Sequence, residues 1–250
     1  MAPGAFFEYS YDNGKSWTAG SQVPIITKNA ILARTRINDL VSEPASANYS
    51  FFFQRILIIG NSIMSHIPSP GIGWYNNNGM AASAPEKDFV HLLTGYLQTL
   101  YPQATVQLQA GGNFERKFGA PDYSIDEFNA TLQTFKPDLI VVRLGENVDE
   151  GDVFSRNLEL QFRNLLDRLA TYSGQPAKII CTTSVWNRPQ TDKIIRKVTL
   201  EKGHTLVDLS DMVPQSRFFA YNDYSDPGVA SHPNDVGMQR IADMIWQQVP

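Results

Sequence analysis

The hydrophobic pattern changes character once along the chain, near Arg55. From there on, short unbroken apolar runs alternate with stretches whose apolar positions recur every three or four residues. Ile56-Leu57-Ile58-Ile59 is such a run. It predicts a strand buried on both faces, which is the mark of a parallel sheet. Further strands are predicted over residues 105–109, 138–144, 178–182 and 205–209. Between them, helical spacing predicts a helix over 85–100 (Phe89, Leu93 and Leu97 inward) and another over 125–135 (Phe128, Leu132, Phe135). A long amphipathic helix is predicted over 154–172, and a helix over 192–200 with Asp192 as its cap. The last helix is predicted over 236–248. Alternating strands and helices predict an α/β domain: three layers, with a five-stranded parallel sheet between helices.

Residues 6–53 follow another rule. They are rich in Tyr, Phe, Thr, Val and Ile, in short runs broken by turn residues, and predict β structure. Asp12-Asn13-Gly14-Lys15 predicts a hairpin between residues 7–11 and 16–18. Ser10 to Trp17 also resembles the Asp-box hairpin of sialidases and other β proteins; as a single copy it implies a hairpin and no activity. Two more strands are predicted over 31–36 and 48–53. At about 50 residues the segment falls short of the ~100 of a full sandwich. It reads as an incomplete immunoglobulin- or fibronectin-like module or as a β appendage. The expected division is therefore a β-rich segment, 1–53, and an α/β domain, 54–250.

Composition narrows the function. The 250 residues hold 21 basic and 25 acidic side chains, with no basic run, so no nucleic-acid partner is expected. No apolar stretch approaches the ~20 residues that span a bilayer, so no membrane partner is expected. The first residues show no basic stretch followed by an apolar one, so no signal peptide is expected. That fits the mature part of a secreted or periplasmic protein, or a cytoplasmic one. Cys181 is the only cysteine and lies in an apolar run, as a buried small side chain would. No His, Asp and Glu grouping has metal-ligand spacing, so neither a metal nor another cofactor is expected. Nothing in the pattern speaks to oligomeric state.

The chemistry gathers at the ends of the predicted strands. Three of them run into Gly60-Asn61-Ser62, Gly111-Gly112-Asn113 and Gly145-Glu146-Asn147. Ser231-His232-Pro233-Asn234 precedes the last helix. In an open parallel sheet the carboxyl ends of the strands share one edge, and ligands bind there. Acyl transfer needs a nucleophile, a base and donors aimed where the oxyanion forms. Ser62 can be the nucleophile and His232 the base. The Ser62 N–H, a backbone N–H near Gly112 (from Gly111, Gly112 or Asn113) and the Asn147 amide can be the donors. Taken alone, Gly-Asn-Ser reads first as a turn followed by a helix cap; the clusters further along the chain are what favour the nucleophile.

In this order the four clusters resemble the sequence blocks of the SGNH hydrolases, the GDSL-type esterases, over about four-fifths of the chain. The resemblance implies ester hydrolysis through an acyl-Ser62 intermediate, with His232 as base and Ser62, Gly112 and Asn147 as the oxyanion hole. The family's common form has Asp where this chain has Asn61. It also has Asp three residues before the histidine, where this chain has Val229. His232 is then held by Asp226, by Glu146 or Glu115, by a backbone carbonyl within 226–230, or it works as half of a Ser-His pair. As a base it must be neutral, so activity is expected to rise through pH about 6–7. His66, four residues after Ser62, reads as a loop histidine, with lining of the site as the alternative; His91 and His204 read as structural. Similarity to bacterial family members with β appendages, together with loop aromatics at Trp74, Tyr75 and Trp186, implies deacetylation of a carbohydrate. The expected partner is a small-molecule or polysaccharide ester. Two alternatives stand beside it: an esterase for longer acyl chains, and a catalytically silent glycan-binding module.

Overall fold

Ile56, Leu57, Ile58 and Ile59 are completely buried, and they face two different cores. Successive side chains of a strand point to opposite sides. Ile56 and Ile58 join Phe89, Leu93, Ile241 and Ile245 on one face; Leu57 and Ile59 join Leu132, Leu165, Ile195 and Val198 on the other. Each such side chain contributes about 1.5–3 kcal/mol when fully buried. The strand is therefore fixed from both sides, and the residues that follow it are placed with it.

The computed structural model describes residues 3–23, 30–48 and 53–249, in two compact units that divide between 52 and 53. In the first unit the described strands are β1 (Phe6–Ser10), β2 (Thr18–Ala19), β3 (Ala30–Ile37), β4 (Leu40–Val41) and β5 (Ala45–Asn48), all paired antiparallel. The β1–β2 turn places Asn13 and Gly14 at φ 58° and 85°, the left-handed region that Asn and Gly tolerate. The Asp12 carboxylate accepts from Ser10 Oγ at 2.8 Å and from Ser16 N at 2.9 Å, which ties the turn together. The strand expected over 48–53 lies largely outside the described residues.

The second unit is built on β6 (Arg55–Gly60), β7 (Thr105–Ala110), β8 (Leu139–Val142), β9 (Lys178–Thr182) and β10 (Thr205–Val207). All are parallel, in the order β10-β9-β8-β6-β7. The helices are α1 (Phe89–Leu100), α2 (Gly112–Lys117), α3 (Asn129–Phe135), α4 (Asp152–Ser155), α5 (Leu158–Thr171), α6 (Pro189–Glu201), α7 (Pro227–Ala230) and α8 (Asp235–Trp246). Helices α1 and α8 cover one face of the sheet, and α3, α5 and α6 the other. The three-layer α/β architecture is thus observed. No helix among the described residues is long and apolar enough to cross a membrane.

The differences from the expected elements have local causes. The single helix expected over 154–172 is broken, because Asn157 takes φ 53° and its side chain accepts from Leu160 N, starting α5 afresh. Asp192 does not cap α6. Pro189 opens that helix one turn earlier, and Glu150 accepts from the N–H groups of Gln190 and Thr191 in place of a local cap. The Asp192 side chain turns inward and accepts from Ser184 N at 2.8 Å. The Gly111-Gly112-Asn113 cluster at the end of β7 winds into α2.

Candidate active site

Gly60 closes β6, and the chain then turns sharply. Met64 N and Ser65 N both donate to Asn61 O, which leaves Ser62 at the head of the turn. A Cβ on Gly60 would lie 2.8 Å from that of Met64, so the turn needs glycine there. Ser62 Oγ lies 2.8 Å from His232 Nε2. The imidazole's other nitrogen, Nδ1, donates to the carbonyl of Gly228 at 2.7 Å. That bond fixes the tautomer. The proton sits on Nδ1, and Nε2 is left as the acceptor for the serine hydroxyl.

Gly228 lies in the single turn of α7, which Asp226 caps by accepting from Val229 N at 3.0 Å. Asp226 therefore positions the turn and does not touch the imidazole, a correction to its candidacy as the acid. Glu115 and Glu146 make no hydrogen bond to His232 either; both are engaged elsewhere. Val229, three residues before His232, is buried with Trp74, Met80, Ala81 and Ala220. His232 is itself buried, and burial pushes it down to about 4. The Gly228 carbonyl and Glu146 pull the other way, while Arg143 and His66 add to the lowering. The expected rise of activity through pH 6–7 is thereby moved downward, because the base stays neutral well below that range.

Ser62, Gly112, Asn147 and His232 all line one cavity of about 460 Å³, with Met64 and Met80 among its apolar walls. Gly112 begins α2, and the first N–H groups of a helix have no acceptor inside it. The Asn147 amide stands on the loop after β8, where its Nδ2 gives one N–H to Glu115 Oε2 at 2.8 Å. Behind these groups lies a buried polar cluster that sequence reasoning did not assemble. The Asn61 amide donates to Glu115 Oε1 at 3.0 Å and to Glu146 Oε2 at 2.8 Å. Glu146 pairs with Arg143 at 2.7 Å, both almost without exposure. An aspartate at 61 would set a third carboxylate against two others; the amide of Asn61 supplies the N–H bonds they need. The available signal was Arg143, a charge directly after β8 and flanked by the apolar Val142 and Leu144.

The two loop tryptophans separate. Trp74 is fully buried in the cluster with Val229, its indole N–H on His66 O at 3.2 Å. It has no face to offer a sugar, a correction to its candidacy as a substrate-binding residue. Trp186 is half-buried and stands edge-on to His232, with ring centres 5.3 Å apart and planes at 89°. Its indole N–H donates to Ser231 O at 2.9 Å. It also lines a concavity of about 310 Å³ with Arg188, Phe219 and Tyr221. Tyr75 is exposed.

No family model matches the sequence, and no curated protein matches it. Solved structures do match its fold. A family two carbohydrate esterase from Clostridium thermocellum, in complex with cellohexaose, aligns with a TM-score of 0.53 at 13% identity, over 86% of this chain and 68% of that one. A family two carbohydrate esterase from Cellvibrio japonicus aligns with a TM-score of 0.51 at 15% identity, over 86% of this chain and 65% of that one. A protein from Lactobacillus plantarum gives 0.51 at 15% identity, over 79% of this chain and 97% of its own length. The α/β unit thus shares its fold with these carbohydrate esterases.

Proposed function

We propose that this protein is a serine ester hydrolase that removes acetyl groups from a carbohydrate. The observation that carries the reading is the Ser62 Oγ to His232 Nε2 contact of 2.8 Å, with the opposite ring nitrogen held on Gly228 O. Ser62 Oγ attacks the ester carbonyl carbon while Nε2 takes its proton. The carbonyl oxygen becomes an oxyanion, received by the N–H groups of Ser62 and Gly112 and the free N–H of Asn147. The imidazolium then gives its proton to the departing sugar hydroxyl, leaving acyl-Ser62. Water enters, Nε2 takes one of its protons, and the acid leaves as Ser62 recovers its own. The Gly228 carbonyl stabilises the imidazolium that forms in both halves, the part a carboxylate plays in a triad.

The carbohydrate part is supported by the fold shared with two carbohydrate esterases and by Trp186 and Tyr221 in the concavity beside His232. A second reading, hydrolysis of longer acyl esters, is favoured by Met64, Ile72 and Met80 on the cavity wall. A silent glycan-binding role leaves the Ser62–His232 contact without a use. Nitrophenyl esters of rising acyl length, run beside acetylated oligosaccharides, separate the readings. Acetate is expected to be the preferred acyl group, and a preference for octanoate overturns the acetyl reading. Ser62→Ala is expected to lose ~10³-fold or more of the activity while staying folded. Labelling by an organophosphonate is expected in the wild type and absent in S62A; no labelling of the wild type overturns the hydrolase reading.

A further inference from the structure

Directly beneath the oxyanion donors lies a carboxylate with no exposure at all. Glu115 stands on α2, one turn after Gly112. Its Oε1 accepts from Asn61 Nδ2 at 3.0 Å, Gly145 N at 2.8 Å and Asn147 N at 3.2 Å. Its Oε2 accepts from Asn147 Nδ2 at 2.8 Å. One side chain thus gathers the segments after β6, β7 and β8 at the point where the cavity begins. The buried cation of the cluster, Arg143, is paired with Glu146 and not with Glu115. Burial and the charge of Glu146 push the Glu115 carboxyl up, against the N–H bonds it receives.

We propose that Glu115 is a positioning residue for ester hydrolysis, one that sets which way round the Asn147 amide faces; this rests on the hydrolase reading. An asparagine amide has two orientations of nearly the same shape. In one, an N–H faces the cavity and receives the oxyanion. In the other, Oδ1 faces it and repels the charge that develops there. A carboxylate only accepts, so Oε2 is satisfied by Nδ2 of Asn147 and not by its oxygen. The two backbone N–H groups on Oε1 cannot turn over, which anchors the carboxylate itself. Glutamine has the same shape but carries one oxygen and one NH₂. Three N–H groups require its oxygen at the Oε1 place, so its NH₂ falls opposite Asn147. The Asn147 amide must then turn, and the donor facing the cavity becomes an acceptor.

The test is a double-mutant cycle of E115Q and N147A in the full chain, reading kcat and KM on nitrophenyl acetate. E115Q is expected to lower kcat by about 10²–10³-fold, the usual cost of one oxyanion donor, with KM nearly unchanged. The double variant is expected to be about as slow as N147A alone, because both changes remove the same donor. A kcat for E115Q within about threefold of wild type overturns the proposal, as do losses that multiply or a change carried by KM. Retained activity with the wild type, lost in S62A, keeps the hydrolase reading separate from that result. A second measurement depends neither on activity nor on E115Q folding. In ¹⁵N-asparagine-labelled wild type, the Asn147 amide is assigned as the resonance missing from N147A. One of its protons is expected to be shifted downfield and protected from exchange by the carboxylate. Two freely exchanging protons overturn the proposal.

Discussion

Acid is the perturbation that tests the site most directly. In the proposed reaction His232 acts as a base only while Nε2 is free of a proton, and burial moves its titration from the ordinary value of about 6.5 down to about 4. The groups that bear on it are Ser62, the Gly228 carbonyl, the edge of Trp186, Glu146, Arg143 and His66. At pH 5.5 an ordinary imidazole is neutral in roughly one molecule in ten, whereas His232 is neutral in well over nine in ten by the same relation. The acid limb of kcat/KM, which reports the free enzyme, should therefore fall near pH 4 and leave activity at pH 5.5 close to its plateau. Stability moves with it. The folded value lies below the unfolded one, so the unfolded chain takes up the proton first. Stability should decline from pH about 6.5 to about 4 and level off below, by about 3 kcal/mol for this group when the shift is converted. The assay is nitrophenyl acetate hydrolysis from pH 3.5 to 8, read at the isosbestic wavelength of the product, with circular dichroism at each pH to show that the fold persists. An inflection at pH 6–7 with the fold intact would refute the reasoning. It would mean that His232 is solvated in the working protein.

Two further substitutions test the local geometry. Asp226→Asn should change kcat by less than about threefold, since asparagine caps a helix as well as aspartate does; a true triad acid replaced by its amide loses ~10⁴-fold, and such a loss would return Asp226 to the mechanism. Gly111→Ala should cost about 1–3 kcal/mol in denaturant melts, because its Cβ would lie 2.6 Å from Leu144 Cδ2 and 3.0 Å from Ile59 Cγ2. Gly112→Ala should cost much less, since its nearest contact is the exposed, flexible end of Arg116 at 2.7 Å, and equal costs at the two positions would contradict this packing.

What could be read from the sequence was whatever depends on neighbours along the chain. Ile56 to Ile59 announce a doubly buried strand by themselves, and α5 shows its buried face in Leu158, Phe162, Leu165 and Leu169. The Gly-Asn-Ser turn and the cluster around His232 were visible because strand ends in a parallel sheet must meet at one edge. What escaped depends on partners distant in sequence. Glu115 sits between exposed Asn113 and Arg116, and only the N–H groups of Gly145 and Asn147 mark it as buried. Trp74 looked like an exposed loop aromatic because the residues that cover it, Ala220 and Val229, come from the far end of the chain. Glu150 took the cap of α6 from Asp192 by a contact across 40 residues. The titration of His232 followed from its burial, which no pattern of residue types around it expresses.

The acceptor that holds His232 has a consequence for inheritance. A triad carboxylate is specified by one codon, and a single base change can abolish it. The Gly228 carbonyl belongs to the backbone, and every residue type carries one. What must be inherited is the shape of a single turn, and that is shared between Pro227, which opens it, and Asp226, which caps it. Position 228 is constrained only by the closeness of the Asp226 carboxylate, 3.0 Å from where a Cβ would stand. Drift at these positions would loosen the histidine by degrees. The position that a carboxylate would have occupied is free for another use, and Val229 fills core with it. A survey of relatives that scores only side-chain identity would count the partner of the histidine as missing. One that scores the path of the backbone before the histidine would find it in place.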